Sequence, residues 1–263
     1  MSGNAYQTLL ASLKRDAFVP QVDPSATVID DKGSRYFGNP WMPAGMEWPH
    51  DGDAPMAFVL QLDLATIPWK PEGMPDKGLL LFFHAEEYND PEEQSFIVIV
   101  DQSLEGALRE APDDEVPHSR ALPIIGWRKT ADDRHWESRY AIEGFDDDDD
   151  DQLDYGYQRN ESGGDLIVGM DGKGYEEADL AAGDIVPLAH TFSGDKIGGW
   201  PYWEQGDDTP EDPDGARWTY FMQVGYEGLR DPKINDRSFN WPTWGTGHIY
   251  FHKGKFMYVW ACD

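Results

Sequence analysis

The chain contains the same kind of turn twice, and each turn is followed by the same kind of apolar stretch. "YFGNPWMPAG" occupies residues 36–45, and "KIGGWPYWEQG" occupies residues 196–206. Both place glycine ahead of proline among tryptophans, a composition typical of tight turns. An apolar stretch with a central glutamine follows each turn, at Gln61 and at Gln223. This repeated order predicts two similar units within one fold.

The apolar stretches have the length and composition of β-strands. They read "MAFVLQLDL" (56–64), "KGLLLFFHAEE" (77–87), "SFIVIVDQ" (95–102), "RWTYFMQVGYEGL" (217–229) and "TGHIYFHKGKFMYVWACD" (246–263). β-Branched and aromatic residues dominate them, which is typical of strands. In the last stretch, Lys-Gly-Lys at 253–255 separates two runs of alternating apolar and polar residues. This pattern predicts two strands joined by a tight turn, that is, a hairpin.

The first residues carry a helical pattern instead. Within residues 4–16, one stripe is formed by Tyr6, Leu9, Leu10 and Leu13. We therefore predict an α+β fold of mostly antiparallel β-sheets, with an internal duplication of two related β-rich units and an N-terminal helix. The expected organisation is a single domain over residues 1–263, with repeat 1 at about 19–104, an acidic middle at about 105–185 and repeat 2 at about 190–263.

The charge balance restricts the partners of this chain. It has 50 Asp and Glu against 21 Lys and Arg, a formal net charge of −29. Nucleic-acid binding depends largely on Lys and Arg that neutralise phosphates, so we expect no nucleic acid and no membrane partner. A strongly negative field favours a basic protein and speeds encounter with it. Solubility, or adaptation to a salt-rich habitat, is the alternative reason for the charge.

The sequence indicates a reducing compartment. Cys262 is the only cysteine, so no intrachain disulfide can form. The N-terminus lacks the apolar run of a signal peptide, and no later stretch approaches the length of a membrane span. The predicted localisation is therefore cytoplasmic. The sequence does not indicate an oligomeric state.

No catalytic or metal centre is indicated. The chain has no Gly-x-Ser-x-Gly elbow, and Cys262 beside Trp260 is expected to pack as a small apolar residue. The histidines are scattered, and His84 and His252 are interpreted as occupying equivalent strand ends in the two units. We therefore predict a protein that is not an enzyme, with no catalytic residues, no metal and no cofactor.

Two acidic stretches are candidates for partner binding. The first is a run of six aspartates in the acidic middle, for which a solvated loop and a weak cation site are alternatives. Aromatic residues flank the run and can anchor a partner that the acids steer. The second stretch follows the second turn. The predicted partner-binding residues are Asp146, Asp147, Asp148, Asp149, Asp150, Asp151, Asp154, Tyr155, Tyr157, Glu204, Asp207 and Asp208.

Five stretches resemble the YwqG-like family of bacterial proteins. They are "GNPWMPAGMEWP" (38–49), "FVLQLDL" (58–64), "KGLLLFF" (77–83), "DKIGGWPYWEQ" (195–205) and "MYVWACD" (257–263). The resemblance implies an α+β fold with internal repeats and no established catalytic centre. Some members of that family are encoded beside toxin genes, which implies an immunity role. The aspartate run is not part of the family pattern.

These observations predict a non-enzymatic, acidic protein-binding module. Its expected function is that of an immunity protein, which neutralises a basic toxin acting on nucleic acid by occlusion. The alternatives are a small-molecule or carbohydrate binder or hydrolase with a Trp-lined groove, and a housekeeping protein whose acidity reflects habitat.

Overall fold

The fold of the described residues is all-β. The computed structural model describes residues 14–27, 30–85, 95–112, 120–132, 194–203, 207–225 and 245–262, together with three short strands between residues 157 and 175. These parts contain no helix, and so no helix that could cross a membrane. The prediction of an α+β fold is therefore wrong for the described residues.

The predicted N-terminal helix is corrected by the first strand. Residues 4–13 lie outside the described part of the chain, but Arg15 and Asp16 already belong to a strand. That strand pairs with a neighbour on each side, which fixes its backbone in an extended conformation. A local stripe of apolar residues in the sequence gives no information about such long-range pairing.

Seventeen strands are described, and their bounds are as follows. In chain order they are β1 (Arg15–Val22), β2 (Arg35–Tyr36), β3 (Trp41–Pro43), β4 (His50–Asp51), β5 (Ala54–Pro55), β6 (Ala57–Asp63), β7 (Leu79–His84), β8 (Ser95–Val100), β9 (Gly106–Leu108), β10 (Leu122–Asp132), β11 (Tyr157–Arg159), β12 (Asp165–Val168), β13 (Gly174–Tyr175), β14 (Lys196–Gly198), β15 (Thr219–Gly225), β16 (Gly245–His252) and β17 (Lys255–Cys262).

Ten of these strands form one antiparallel sheet in the order β17-β16-β15-β14-β1-β10-β2-β6-β7-β8. Its edge strands β8 and β17 contact each other, so the sheet is nearly closed into a barrel. Below, the first half means β2, β6, β7 and β8, and the second half means β14 to β17; β1 and β10 join them. The predicted hairpin is confirmed, because Lys253 and Gly254 connect β16 to β17 with φ values of 48° and 81°.

The main core lies on the face of the sheet that the two halves share. Its buried side chains include Tyr36, Phe37, Val59, Leu60, Leu62, Leu80 and Phe82 from the first half and Ile197, Phe221, Met222, Val224, Ile249, Phe251 and Tyr258 from the second. Phe82 and Tyr258 connect the halves directly, with ring centroids 5.3 Å apart. Continuous apolar burial of this kind supplies the main favourable term in folding.

A buried glutamine holds the Gly/Pro/Trp turn in each half. Gln61 Oε1 accepts from the Trp41 N–H at 2.9 Å, and its Nε2 donates to the Gly33 carbonyl at 2.9 Å. Gln223 Oε1 accepts from the Tyr202 N–H at 3.0 Å, and its Nε2 donates to a carbonyl at the equivalent place, that of Gly194. The two turns therefore recur because each is fixed by the same side chain from the neighbouring strand.

Other features recur at matching positions. In the first half, the Ser34 hydroxyl accepts from the Asp63 N–H; in the second, the Asp195 carboxylate accepts from the Gly225 N–H. The register shifts near Val59 in β6 and at the corresponding place in β15. These correspondences are what a duplicated unit requires, and the bounds of the two repeats stay a prediction.

A buried ion pair lies where the halves join. The Lys196 ammonium contacts Asp132 Oδ2 at 2.7 Å, and neither side chain is exposed to solvent. The same oxygen accepts from the Trp200 N–H at 2.8 Å. Gly199, with a φ of 74°, has to be glycine at this point because a Cβ would overlap the Asp132 carboxylate. Asp132 and Lys196 also flank residues 133–195, which contain the aspartate run, so the two ends of that segment are held by the same contact.

Replacing either glutamine with leucine should destabilise the fold. Gln61→Leu or Gln223→Leu removes the partner of at least two backbone groups, and we expect a loss on the order of 3 kcal/mol in the free energy of unfolding. Urea denaturation measures this loss. Gln21→Leu, at an exposed position of β1, is the matched control and should change the free energy of unfolding by less than about 0.5 kcal/mol. Equal effects at the three positions would show that the glutamines do not anchor the turns.

His84 should make the stability of the protein depend on pH. Burial lowers the pKa of the His84 imidazole to about 4, so it is neutral in the folded protein at pH values where an unfolded chain protonates it. Its contribution to stability is complete above about pH 6.5 and is lost as the pH falls through 4. His84→Phe should remove this loss, roughly 3 kcal/mol between these limits.

The measurement is urea denaturation of the wild-type protein and the His84→Phe variant at several pH values between 4 and 7. Phenylalanine is a reasonable replacement because Phe251 occupies the corresponding position in the second half. A constant difference between the two proteins across this range would contradict the prediction.

Candidate functional site

Most of the predicted partner-binding residues lie outside the described part of the chain. These are Asp146, Asp147, Asp148, Asp149, Asp150, Asp151, Asp154, Tyr155 and Glu204. Tyr157 begins β11, where its backbone pairs with Ile167 of β12. Asp207 and Asp208 are described, and they lie in the loop that follows the second Gly/Pro/Trp turn. Residues 200–203 of that turn and residues 207–218 after it are together called the covering loop.

The covering loop pairs much of its negative charge internally. The Asp207 side chain is fully buried and contacts Arg217 at 3.1 Å, and the same guanidinium contacts Glu211 at 3.1 Å. Asp212 accepts from the Trp218 indole at 2.9 Å and from Lys253 at 2.8 Å. These contacts close the loop onto itself and onto the β16–β17 turn. Of the predicted residues in this loop, Asp207 is thus committed to a basic group of its own chain.

Asp208 takes part in a different arrangement, a polar cluster beneath the covering loop. The Tyr250 hydroxyl donates to Asp208 Oδ1 at 3.2 Å, and the Trp203 indole donates to the Tyr250 oxygen at 3.3 Å. His248 Nδ1 lies 3.9 Å from the same carboxylate oxygen. Tyr220 packs against His248 with ring centroids 6.1 Å apart. The polar cluster is defined here as Trp203, Asp208, Tyr220, His248 and Tyr250.

Solvent reaches the polar cluster mainly through Asp208. Its side chain is 24% exposed, whereas that of His248 is 0% exposed. Burial raises the pKa of the Asp208 carboxyl to about 6, against hydrogen bonds from Tyr250 and Trp203 that favour the charged form. Burial also raises the pKa of the Tyr220 hydroxyl well above its ordinary value. The cluster therefore holds a carboxyl that can exchange a proton near neutral pH.

The first half has apolar residues at the positions of this cluster. Gln61 pairs with Leu81 across β6 and β7, and Gln223 pairs with His248 across β15 and β16. By this register, first-half residues correspond to second-half residues as follows: Met42 to Trp203, Phe58 to Tyr220, Leu81 to His248 and Phe83 to Tyr250. The first-half residues form a compact apolar cluster. Packing alone therefore does not require polar side chains at these places.

The comparisons with known proteins identify the family. Residues 34–255 match the family described as Domain of unknown function (DUF1963). The chain belongs to the DUF1963 family. A search of curated proteins found no match. The DUF1963 region contains both glutamine anchors, the buried ion pair and the whole polar cluster, and it leaves β1 outside.

A cleft of about 540 Å³ lies elsewhere in the DUF1963 protein. It opens where β10 and β6 diverge beyond the short β2, and its lining includes Asp23, Asp30, Asp63 and Trp127. Hydrogen bonds from Ser25 lower the pKa of Asp23, so that carboxyl is charged at neutral pH. Among the described residues, no three His, Cys, Asp or Glu side chains are grouped closely enough to hold a metal ion.

The polar cluster is not evident from residue spacing alone, because that spacing aligns the wrong positions of the two halves. His84 and His252 were expected to be equivalent, but the strand register makes His84 equivalent to Phe251. Counting instead from each glutamine to its cross-strand partner aligns "LLLFF" (79–83) with "TGHIY" (246–250). The exchange of apolar for polar residues within those two strings was the signal in the sequence.

Proposed function

We propose that this protein is a non-enzymatic module that binds a basic protein through its acidic middle, and that it acts in the cytoplasm. The observation that carries the proposal is the net charge of −29, combined with the run of six aspartates at 146–151. A field of this sign and size accelerates encounter with a basic surface. At the finer level, we propose membership of the YwqG-like family and the function of an immunity protein that occludes a basic, nucleic-acid-acting toxin.

The covering loop supports the choice of the aspartate run over the second acidic stretch. Asp207 and Asp212 are paired with basic groups of the same chain, so a partner would have to displace Arg217 or Lys253 to reach them. Such replacement adds little affinity, since one ion pair is exchanged for another. The aspartate run is therefore the stretch to which we assign steering of the partner, with Tyr155 and Tyr157 as anchors.

The buried ion pair also supports the proposal, because its two residues flank the segment that contains the aspartate run. Asp132 ends β10, Lys196 begins β14, and their side chains are in contact. Residues 133–195, which contain the aspartate run, therefore leave and re-enter the sheet at neighbouring points. Fixed ends restrict the conformational freedom of a segment, which lowers the entropy that a binding reaction has to overcome.

The tryptophans of the two turns do not favour the alternative of a carbohydrate groove. Trp41, Trp200 and Trp203 are only 2%, 3% and 2% exposed. A sugar ring needs an accessible aromatic face, and these rings are covered by packing. Among the described residues, the turn tryptophans therefore stabilise the fold.

Neutralising the aspartate run should slow association with the partner. Replacing each residue of Asp146–Asp151 with Asn should lower the association rate constant by about tenfold at low salt and flatten its salt dependence, because electrostatic steering is screened by salt. The measurement is the binding kinetics of the purified protein with the basic products of genes adjacent to its own, over a range of salt concentrations.

The matched control removes the same number of charges from the first half. It combines six exposed carboxylates, of which Asp76 contacts Lys70: Glu47→Gln, Asp53→Asn, Glu72→Gln, Asp76→Asn, Glu105→Gln and Glu110→Gln. We expect this control to change the association rate much less than the aspartate-run variant. Equal effects of the two variants would show that only the net charge of the protein matters for association. No effect of the aspartate-run variant would show that the run does not take part in partner binding.

A further inference from the structure

The polar cluster places titratable groups where the other half of the same sheet uses hydrocarbon. Leu81 and Phe83 fill the positions of His248 and Tyr250, and both are fully buried. Burying imidazole, phenol and carboxyl groups costs free energy that leucine and phenylalanine do not cost. Titratable groups at positions that the other half fills with apolar side chains are typical of a functional role for the charge or proton they carry.

The hydrogen bonds of the cluster define where a mobile proton resides. The carbonyl of Tyr202 can only accept, so His248 Nε2, at 2.8 Å from it, carries a hydrogen. A neutral His248 ring then has a lone pair on Nδ1, and this atom faces Asp208 Oδ1 across 3.9 Å. One proton can therefore be held between the carboxyl and the ring, as a carboxylic acid beside a neutral imidazole or as a carboxylate beside an imidazolium.

We propose that Asp208 and His248 form a one-proton site that couples the covering loop to pH. With the proton bound, the pair is electrically neutral overall and the covering loop stays packed on β16. When the proton leaves, an uncompensated carboxylate remains beneath the loop. The loop then opens more often, because hydration of that carboxylate is favourable only when the packing over it is relaxed.

The groups that face Asp208 from neighbouring elements do not supply a permanent counter-charge. The groups of β16 that face Asp208 are His248 and the neutral Tyr250. The facing group of β15 is Tyr220, which donates its hydroxyl hydrogen to Gln223 Oε1 at 3.4 Å. Within the loop, the charge of Arg217 is already paired with Asp207. Asp207 itself raises the pKa of Asp208 further by charge repulsion.

Two buried oxygen atoms at this place show that the packing leaves polar groups unsatisfied. Asp208 Oδ2 and the Thr209 hydroxyl have no hydrogen-bond partner among the described residues. Thr209 is only 8% exposed. Buried polar atoms without partners lower the local stability, so they reduce the free energy needed to open the covering loop.

The pKa of Asp208 sets the direction of the effect. It is raised to about 6, above the ordinary 3.8 that the carboxyl has when the loop is unfolded. The contribution of Asp208 to stability is therefore complete below about pH 4 and is lost as the pH rises through 6. The covering loop should be better protected at mildly acidic pH than at pH 8.

The first test follows the indole N–H of Trp203 by NMR on protein with ¹⁵N-labelled tryptophan. Since this indole donates to Tyr250 and Asp208, its resonance should titrate with a midpoint near pH 6. Asp208→Asn, which keeps an oxygen for Tyr250, should abolish the titration. Tyr250→Phe, which copies the first half, should raise the midpoint because the Tyr250 hydrogen bond favours the charged carboxylate.

Asp212→Asn is the matched control in the same loop. Lys253 holds the pKa of Asp212 below its ordinary value, so its titration has the opposite sign. In urea denaturation, Asp208→Asn should gain stability over the wild-type protein as the pH rises through 6. Asp212→Asn should lose stability at neutral pH, and that difference should shrink in acid.

Hydrogen exchange of residues 207–218, corrected for the intrinsic pH dependence of exchange, tests the coupling to the loop. We expect about tenfold less protection at pH 8 than at pH 5 in the wild-type protein, and equal protection at both pH values in Asp208→Asn. The proposal is overturned if the Trp203 resonance does not move between pH 4.5 and 8, if its titration survives in Asp208→Asn, or if wild-type protection is independent of pH.

Discussion

The ion pair between Lys196 and Asp132 is fully buried, and the two halves of the sheet meet around it. Burial lowers the pKa of Lys196 to about 8, with Asp132 acting against this shift, so the ammonium is still charged at pH 7. An unpaired charge at this place would cost several kcal/mol, whereas the pair also satisfies the Trp200 N–H. The pair therefore favours the register of β14 on β1 that brings Lys196 to Asp132. Because the second Gly/Pro/Trp turn comes directly after β14 in the chain, this register also determines the position of the turn and of the covering loop.

The two halves share the same backbone arrangement of strand and turn, but they differ in the side chains that lie beneath the turn. In each, a buried glutamine binds the backbone of a Gly/Pro/Trp turn and thereby holds a loop over the outer face of the sheet. Beneath the first loop the side chains are apolar. Beneath the second, a carboxyl, an imidazole and a phenol share one network around Asp208. A fold with two equivalent faces can keep one for stability and give the other a titratable function, and this division is the basis of the proton-linked role proposed for the covering loop.

The sequence predicted the strands well because their apolar runs are long and their turn residues are distinctive. β6, β7, β8, β15 and β17 lie within predicted stretches, and β16 begins one residue before its stretch. The N-terminal helix was wrong because a short apolar stripe says nothing about pairing with β10 and β14. The sequence predicts that acidic residues after the second turn bind a partner, because it does not show that Arg217 and Lys253 fold back onto this stretch. The role of His248 depends on cross-strand register, which the drifting spacing between the two units concealed. Asp132 and Lys196 are 64 residues apart, and neither lies in a motif.

The junction between the two halves depends most directly on the energetic coupling between Asp132 and Lys196. A double-mutant cycle measures it, with Asp132→Asn, Lys196→Met and the combined variant compared by their free energies of unfolding in urea. We predict that each single change destabilises the protein by about 3 kcal/mol or more, because it leaves a buried group without its partner. The combined variant should lose less than the sum of the two, with a coupling energy of at least about 2 kcal/mol. Single effects that add within about 0.5 kcal/mol would contradict the account, because the junction would then not depend on this pair.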